Sequence, residues 1–196
     1  MRLESLDYCV ATFENTIQDE KQTYVDAVNR KRIEPDDPEL SEALFKLNYH
    51  ILPTFRNCMI VAVCTLIEDI LLAIGSYTVP DFESHVGRLR RRRMSTVRRY
   101  LQVLESQLTI DFTFIDNDLL LIDDIVKIRN AITHAWGKID NCDNHVTLRK
   151  IISRRNWVQE TGDGYILVSD EAYADAIEPV LRLVRHIFDS VPVSDD

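Results

Sequence analysis

Glycine and proline are scarce in this chain, five and six among 196 residues, which argues against a loop-rich or all-β fold. The four cysteines form no CxxC pair and no His/Cys cluster with zinc-site spacing, so we expect reduced thiols and no metal or cofactor. The N-terminus lacks the continuous apolar stretch of a secretory signal. The most apolar run, residues 58–74, is interrupted by two acids and is short for a membrane span. These absences favour a soluble, cytoplasmic protein that does not enter a membrane.

Acidic residues outnumber basic ones, 32 to 23, so the net charge is −9, but the positive charge is unevenly distributed. Seven arginines and no acid lie between residues 88 and 99. Screening limits the reach of distant negative charge to roughly 10 Å, so this basic island can still attract phosphate locally. The chain is otherwise of ordinary globular composition, with 45% hydrophobic and 28% charged residues, and its length suits a single domain over residues 1–196.

Apolar residues recur at helical spacing and predict a mainly α helical bundle. The first helix is expected at about 3–31. Asp37 and Pro38 suit the cap and the first turn of a second helix. Helical sequence then continues, with Pro53 either kinking one long helix or separating two, and Gly75 suits the C-terminal stop.

The middle of the chain should hold a connection, residues 76–94, and two further helices. Ser95 or Thr96 can cap the first of these. The second, which we call the motif helix, is predicted at about 118–135.

The pattern changes after the motif helix. The sequence at 146–152 looks extended because it is rich in β-branched residues, and Thr161-Gly162-Asp163-Gly164 is a turn signal between apolar segments. We therefore predict a β-hairpin region at about 146–168. A closing amphipathic helix is expected at about 170–190. The predicted fold class is mainly α, a helical bundle with a small β-hairpin before the C-terminal helix.

Two faces are predicted for the motif helix. At about 100° per residue, its core stripe contains five apolar residues: Leu121, Ile125, Ile128, Ile132 and Trp136. Asn130 and His134, at positions i and i+4, share a face nearly opposite this stripe. A core role therefore does not explain His134, although a plain surface histidine remains an alternative. Asp123 and Asp124 can form ordinary i,i+4 or i,i+3 pairs with Lys127, and a metal site at these acids is conceivable but unsupported by the sequence.

The segment Arg129-Asn130-Ala131-Ile132-Thr133-His134 combines three groups that suit RNA cleavage. An imidazole such as that of His134 can take and give a proton near neutral pH. The Arg129 guanidinium offers a permanently charged fork to phosphate oxygens, and Asn130 can orient the imidazole or a ligand. These groups suffice for cleavage by the neighbouring 2′-hydroxyl, which needs proton transfer and charge neutralisation but no metal. DNA lacks that hydroxyl, so this mechanism selects RNA.

An Arg-Asn-x-x-x-His pattern at the end of a helix resembles the HEPN superfamily (higher eukaryotes and prokaryotes nucleotide-binding). The resemblance covers roughly residues 40–190, and its specific part is Arg129, Asn130 and His134. With this composition the pattern is expected by chance roughly 0.02 times. Many members of that superfamily are metal-independent endoribonucleases of toxin–antitoxin and antiviral defence systems.

The resemblance implies several further features of this chain. It implies a homodimer, because the motif helices of two HEPN subunits meet at a composite site. It also implies that an acid of the apolar helix, Glu68, lies near Arg129 as a supporting residue; the alternative is that Glu68, Asp69 or both face solvent. A neutralising antitoxin or regulatory protein is expected as well, since unrestrained RNA cleavage harms the host.

The arginine run Arg90, Arg91, Arg92 and Arg93 has two interpretations. It can hold the RNA backbone through counterion release, or it can be a solvated loop or a docking patch for an acidic partner. Two other functions also remain open. The chain could be a non-catalytic HEPN module that binds a nucleotide or a partner, or a helical adaptor in which the motif is accidental.

Overall fold

The structure, a computed structural model, describes residues 3–30, 37–89, 94–169 and 171–191. The chain divides into two compact units, residues 1–59 and 60–196. The described residues contain eight α-helices and one two-stranded antiparallel hairpin, which precedes the last helix. This confirms the predicted mainly α fold with a small hairpin before the C-terminal helix.

The first unit contains helical structure along almost all of its described length. Its elements are α1 (Leu3–Asn29), α2 (Pro38–Lys46), a π-helical turn (Leu47–Ile51) and the start of α3 (Leu52–Thr78). Asp37 caps α2 as predicted, because its Oδ1 accepts a hydrogen bond from the Leu40 N–H at 3.3 Å. Pro53 lies in the first turn of α3, directly after the π-helical turn. Proline has no N–H to donate to the backbone hydrogen bonds of a regular α-helix, and the π-helical turn before it keeps the chain helical.

The predicted stop at Gly75 is wrong, because α3 continues to Thr78. Gly75 is buried, and a Cβ at this position would overlap the ring of Phe82. Phe82 begins a short helix, α4 (Phe82–Arg88), inside the segment predicted to be a connection. Glycine is therefore needed here for close packing of α4 on α3 and not for helix termination.

Helix α3 is long and apolar enough to cross a membrane by length and composition alone. However, 44% of its most apolar window is buried inside the protein, and the core helix of a globular protein meets the same criterion. Within the second unit, its inward face contributes six buried residues to the core: Ile60, Val63, Cys64, Ile67, Leu71 and Ile74.

Two helices of the second unit carry the predicted site region. Helix α5 (Thr96–Leu108) begins as predicted at Ser95, whose Oγ accepts a hydrogen bond from the Arg98 N–H at 3.2 Å. Helix α6 (Asp116–Ala135) is the motif helix, with bounds close to those predicted. It packs most extensively against α8 (Glu171–Ser190), the closing helix.

The segment 146–152 is not extended, because it lies within a helix, α7 (His145–Arg154). Leu148 and Ile151 are buried on one side of α7, whereas Arg149 and Lys150 are exposed. The three-residue spacing of the buried positions is helical, and it outweighed the β-propensity of the branched side chains. The hairpin is consequently shorter than predicted.

The hairpin consists of β1 (Val158–Glu160) and β2 (Ile166–Val168). Val158 pairs with Val168, and the predicted Thr161–Gly164 turn joins the strands. Backbone hydrogen bonds connect the hairpin to the segment after α6: the Ile166 N–H donates to the Gly137 carbonyl at 2.9 Å. The hairpin thus fixes the position at which the motif helix ends.

Candidate active site

The C-terminal end of α6 is held by backbone hydrogen bonds that reverse the chain. Trp136 and Gly137 both adopt left-handed conformations, with φ of 54° and 74°. The N–H groups of both residues donate to the carbonyl of Ala131. These two bonds satisfy a carbonyl that the end of the helix would otherwise leave free, and they fix the last turn of α6, which contains His134.

Glu68 of α3 and Arg129 of α6 form an ion pair, as predicted: Arg129 Nη2 donates to Glu68 Oε1. The two side chains are 26% and 20% exposed, so the pair is partly shielded from water. Asp69, the neighbouring acid, is exposed. Of the two acids that interrupt the apolar helix, one therefore supports Arg129 and the other faces solvent.

The surroundings of this ion pair are the junction of α3, α5 and α6. Burial raises the pKa of the Cys64 thiol to about 11, while the nearby Arg129 charge acts in the opposite direction. Burial also raises the pKa of Tyr100 on α5, and the Glu68 carboxylate adds to that rise. Arg129 Nε is buried and has no hydrogen-bond partner within the described ranges. Glu68 therefore satisfies only part of a guanidinium that has five donors.

Asn130 lines an open cleft between the start of α5 and the middle of α6. The cleft has a volume of about 430 Å³, and Ser95, Arg98, Asp123 and Lys127 also line it. Asn130 is half-buried, and its side chain makes no hydrogen bond to any other residue that the structure describes. Its amide is therefore free to bind a ligand that enters the cleft.

His134 is exposed, and its ring has no hydrogen-bond partner in the described part of the chain. At about 100° per residue it lies roughly 40° around the helix from Asn130 but about 140° from Arg129. The structure thus brings Arg129 together with Glu68, and it leaves His134 on another face. Within one chain, the amide and the imidazole share a face that the guanidinium does not.

The predicted core stripe of α6 is only partly correct. Ile125 and Ile128 are fully buried, but Leu121 and Ile132 are half-buried and Trp136 is 90% exposed. Trp136 leaves the stripe because the left-handed turn at its own position ends the helix. A large exposed aromatic side chain therefore lies two residues beyond His134.

Asp123 and Asp124 of α6 pair with distant arginines and not with Lys127, in contrast to the pairing that helical spacing allows. Arg98 binds Asp123 with two nitrogens, at 2.7–2.9 Å. Asp124 is completely buried, and it accepts hydrogen bonds from Arg154 and Arg155 at the end of α7. These three arginines lie 25 to 31 residues away from the aspartates in the sequence, so helical spacing could not identify them.

The remaining predicted site residues, Arg90, Arg91, Arg92 and Arg93, lie outside the described residues. Among the residues that the structure does describe, no group of three or more His, Cys, Asp or Glu side chains could hold a metal ion. In the described chain, α6 thus presents a guanidinium paired with a carboxylate on one face and an exposed imidazole on another.

Comparisons with protein-family models, with curated proteins and with solved structures each returned no match. The resemblance to HEPN proteins therefore rests on the motif residues and on their positions in this helical chain.

Proposed function

We propose that this protein is a HEPN-type, metal-independent endoribonuclease that acts as the toxin or effector of a toxin–antitoxin or antiviral defence system in the cytoplasm. One observation carries the proposal: the motif lies at a fixed helix end, where Glu68 holds Arg129, Asn130 lines an open cleft and His134 is exposed.

The reaction follows from the chemistry of these groups. His134 takes the proton of the 2′-hydroxyl, whose oxygen then attacks the adjacent phosphorus. The bond from phosphorus to the 5′-oxygen breaks, and that oxygen receives a proton from a second acid. Arg129 neutralises the charge that develops on the phosphate, and Asn130 orients the reacting groups. The products are a 2′,3′-cyclic phosphate and a 5′-hydroxyl.

The proposal requires two copies of the chain. Arg129 and His134 are about 140° apart around α6, which is too far for one phosphate to meet both from a single helix. The proposal therefore requires a two-fold contact between the motif helices that brings the His134 imidazole of one copy near the Arg129 guanidinium of the other. The second His134 then supplies the acid for the leaving group.

The first experiment incubates purified protein with RNA in EDTA, beside His134→Ala, Arg129→Ala and the control His145→Ala. His145 is an exposed histidine of α7, outside the motif. We expect the wild type and the control to cut RNA and both motif variants to lose activity by at least about a hundredfold, as for lost acid–base catalysis. RNA left intact by the wild type, or equal cutting by all four proteins, contradicts the proposal.

A mixing experiment tests the composite site separately. Neither His134→Ala nor Arg129→Ala should cut RNA alone. A dimer of one copy of each retains one intact Arg129 opposite one intact His134. The second His134 is absent from this dimer, so the leaving oxygen must take its proton from water and only partial activity is expected. Co-refolding the two variants should therefore restore a fraction of the wild-type activity. If the mixture stays inactive although mixed dimers form, Arg129 and His134 do not act from opposite subunits.

A further inference from the structure

The cleft beside Asn130 has an unbalanced positive charge. Three charged side chains line it: Arg98, Asp123 and Lys127. Arg98 and Asp123 neutralise each other through three short contacts of 2.7–2.9 Å. Lys127 is half-buried and has no ion-pair partner among the residues that the structure describes. An ammonium group that is partly removed from water is stabilised by an anion, which this cleft has the volume to admit.

The cleft also continues the face of α6 that carries the motif. Residues 123, 127, 130 and 134 follow one another at intervals of three or four and therefore share a side of the helix. Lys127 and His134 are seven residues apart, which corresponds to about 10 Å along the axis. Lys127 therefore lies too far along the helix to contact the phosphate at which His134 acts. Asn130 lies between them.

We propose that Lys127 binds a backbone phosphate of single-stranded RNA next to the scissile one, with the strand running along this face of α6. The proposal rests on the function proposed above. RNA fits better than an acidic protein because the unpartnered Asn130 amide lines the cleft, and the exposed His134 lies about one helical turn further along the same face of α6. Ser95 and the paired Arg98 line the opposite wall and offer polar contacts to the sugar and phosphate.

The test measures binding of a 2′-O-methyl RNA oligonucleotide, which cannot be cleaved, by fluorescence anisotropy over a range of salt concentrations. The variants are Lys127→Gln, Lys127→Arg and the control Lys150→Gln. Lys150 is an exposed lysine of α7 outside the cleft, so its substitution removes the same charge elsewhere. We expect Lys127→Gln to weaken binding about tenfold and to reduce the slope of log affinity against log salt by about 0.7, the value for one phosphate contact. Lys127→Arg should retain binding, and Lys150→Gln should match the wild type.

Equal losses in Lys127→Gln and Lys150→Gln, or no change in the salt slope, would overturn the assignment. So would equally strong competition by polyglutamate of matched charge, since this would indicate an acidic protein as the ligand. The two proposals can fail separately. Binding that depends on Lys127 without any RNA cleavage refutes the nuclease, and cleavage without dependence on Lys127 refutes the phosphate contact.

Discussion

The Glu68–Arg129 ion pair should contribute measurably to folding. Two unit charges 4 Å apart attract by about 4 kcal/mol at an effective dielectric constant of 20, before desolvation is subtracted. Fully exposed pairs contribute about 0–1 kcal/mol, and removal of one partner of a fully buried pair costs about 3–5 kcal/mol. With exposures of 26% and 20%, this pair lies between those limits. We expect a coupling energy of about 1–2 kcal/mol between the two side chains.

A double-mutant cycle measures that coupling directly. Urea unfolding of the wild type, Glu68→Gln, Arg129→Gln and the double variant gives the free energy of unfolding for each. Glu14 and Arg56 provide a matched control, since this ion pair of the first unit has nearly the same exposures, 27% and 17%. Both cycles should give similar coupling energies, and only the 68–129 cycle should alter RNA cleavage.

The reasoning is refuted if the 68–129 coupling lies below about 0.5 kcal/mol, the level of a solvent-exposed pair. Arg129 would then not be held by Glu68, and its position at the candidate site would need another cause. Equal loss of RNA cleavage in both cycles would instead show that cleavage follows stability alone.

Three further predictions follow from single positions. Gly75→Ala should lower the free energy of unfolding by about 1–3 kcal/mol, because the new Cβ overlaps the Phe82 ring. Gly87→Ala should raise it by about 0.5–1 kcal/mol, because a Cβ there meets nothing within 4 Å. Equal effects of the two substitutions in urea unfolding would contradict this. Burial raises the pKa of Cys64 from 9.0 to about 11, so the folded state retains this proton more tightly. The contribution of the protonated Cys64 thiol to the free energy of unfolding should therefore be complete below about pH 9 and decrease by about 2–3 kcal/mol towards pH 11. Urea unfolding of Cys64→Ala across this pH range should lack this decrease. Trp136→Gly should stabilise the monomer by about 0.5–1 kcal/mol, because it relieves a left-handed conformation; a lower melting temperature at protein concentrations below the dimerisation range would contradict this.

The features of the fold that could be predicted from the sequence depend on neighbouring residues. Asp37 and Ser95 cap the helices that follow them, and the turn at Thr161–Gly164 joins two strands, because these signals act within a few residues. The sequence does not reveal the role of Gly75, because that role is set by Phe82, which packs on it from another helix. Local signals identify turns and caps, but they do not show which glycine a distant ring requires.

The features of the candidate site likewise fall into those that local spacing predicts and those that depend on contacts between distant residues. The positions of Asn130 and His134 on one face of α6 follow from helical spacing alone. The contact between Glu68 and Arg129 came from the family resemblance, and no local rule would have identified it. The partners of Asp124 lie 30 and 31 residues away, at Arg154 and Arg155, and only the packing of α7 on α6 reveals them.

The exposed Trp136 provides a test of where two copies meet. If the motif ends of α6 form the dimer contact, Trp136 becomes covered, whereas Lys127, about 13 Å away along the helix, stays open to RNA. The chain has two tryptophans, and the other, Trp157, is only 2% exposed. Tryptophan emission should therefore shift to shorter wavelength as protein concentration rises through the dimerisation range measured by sedimentation. Trp136→Phe should show no such shift, because Trp157 stays buried in both states. If the wild-type emission stays constant while sedimentation shows dimers forming, the contact lies elsewhere, and a composite site at the end of α6 is excluded.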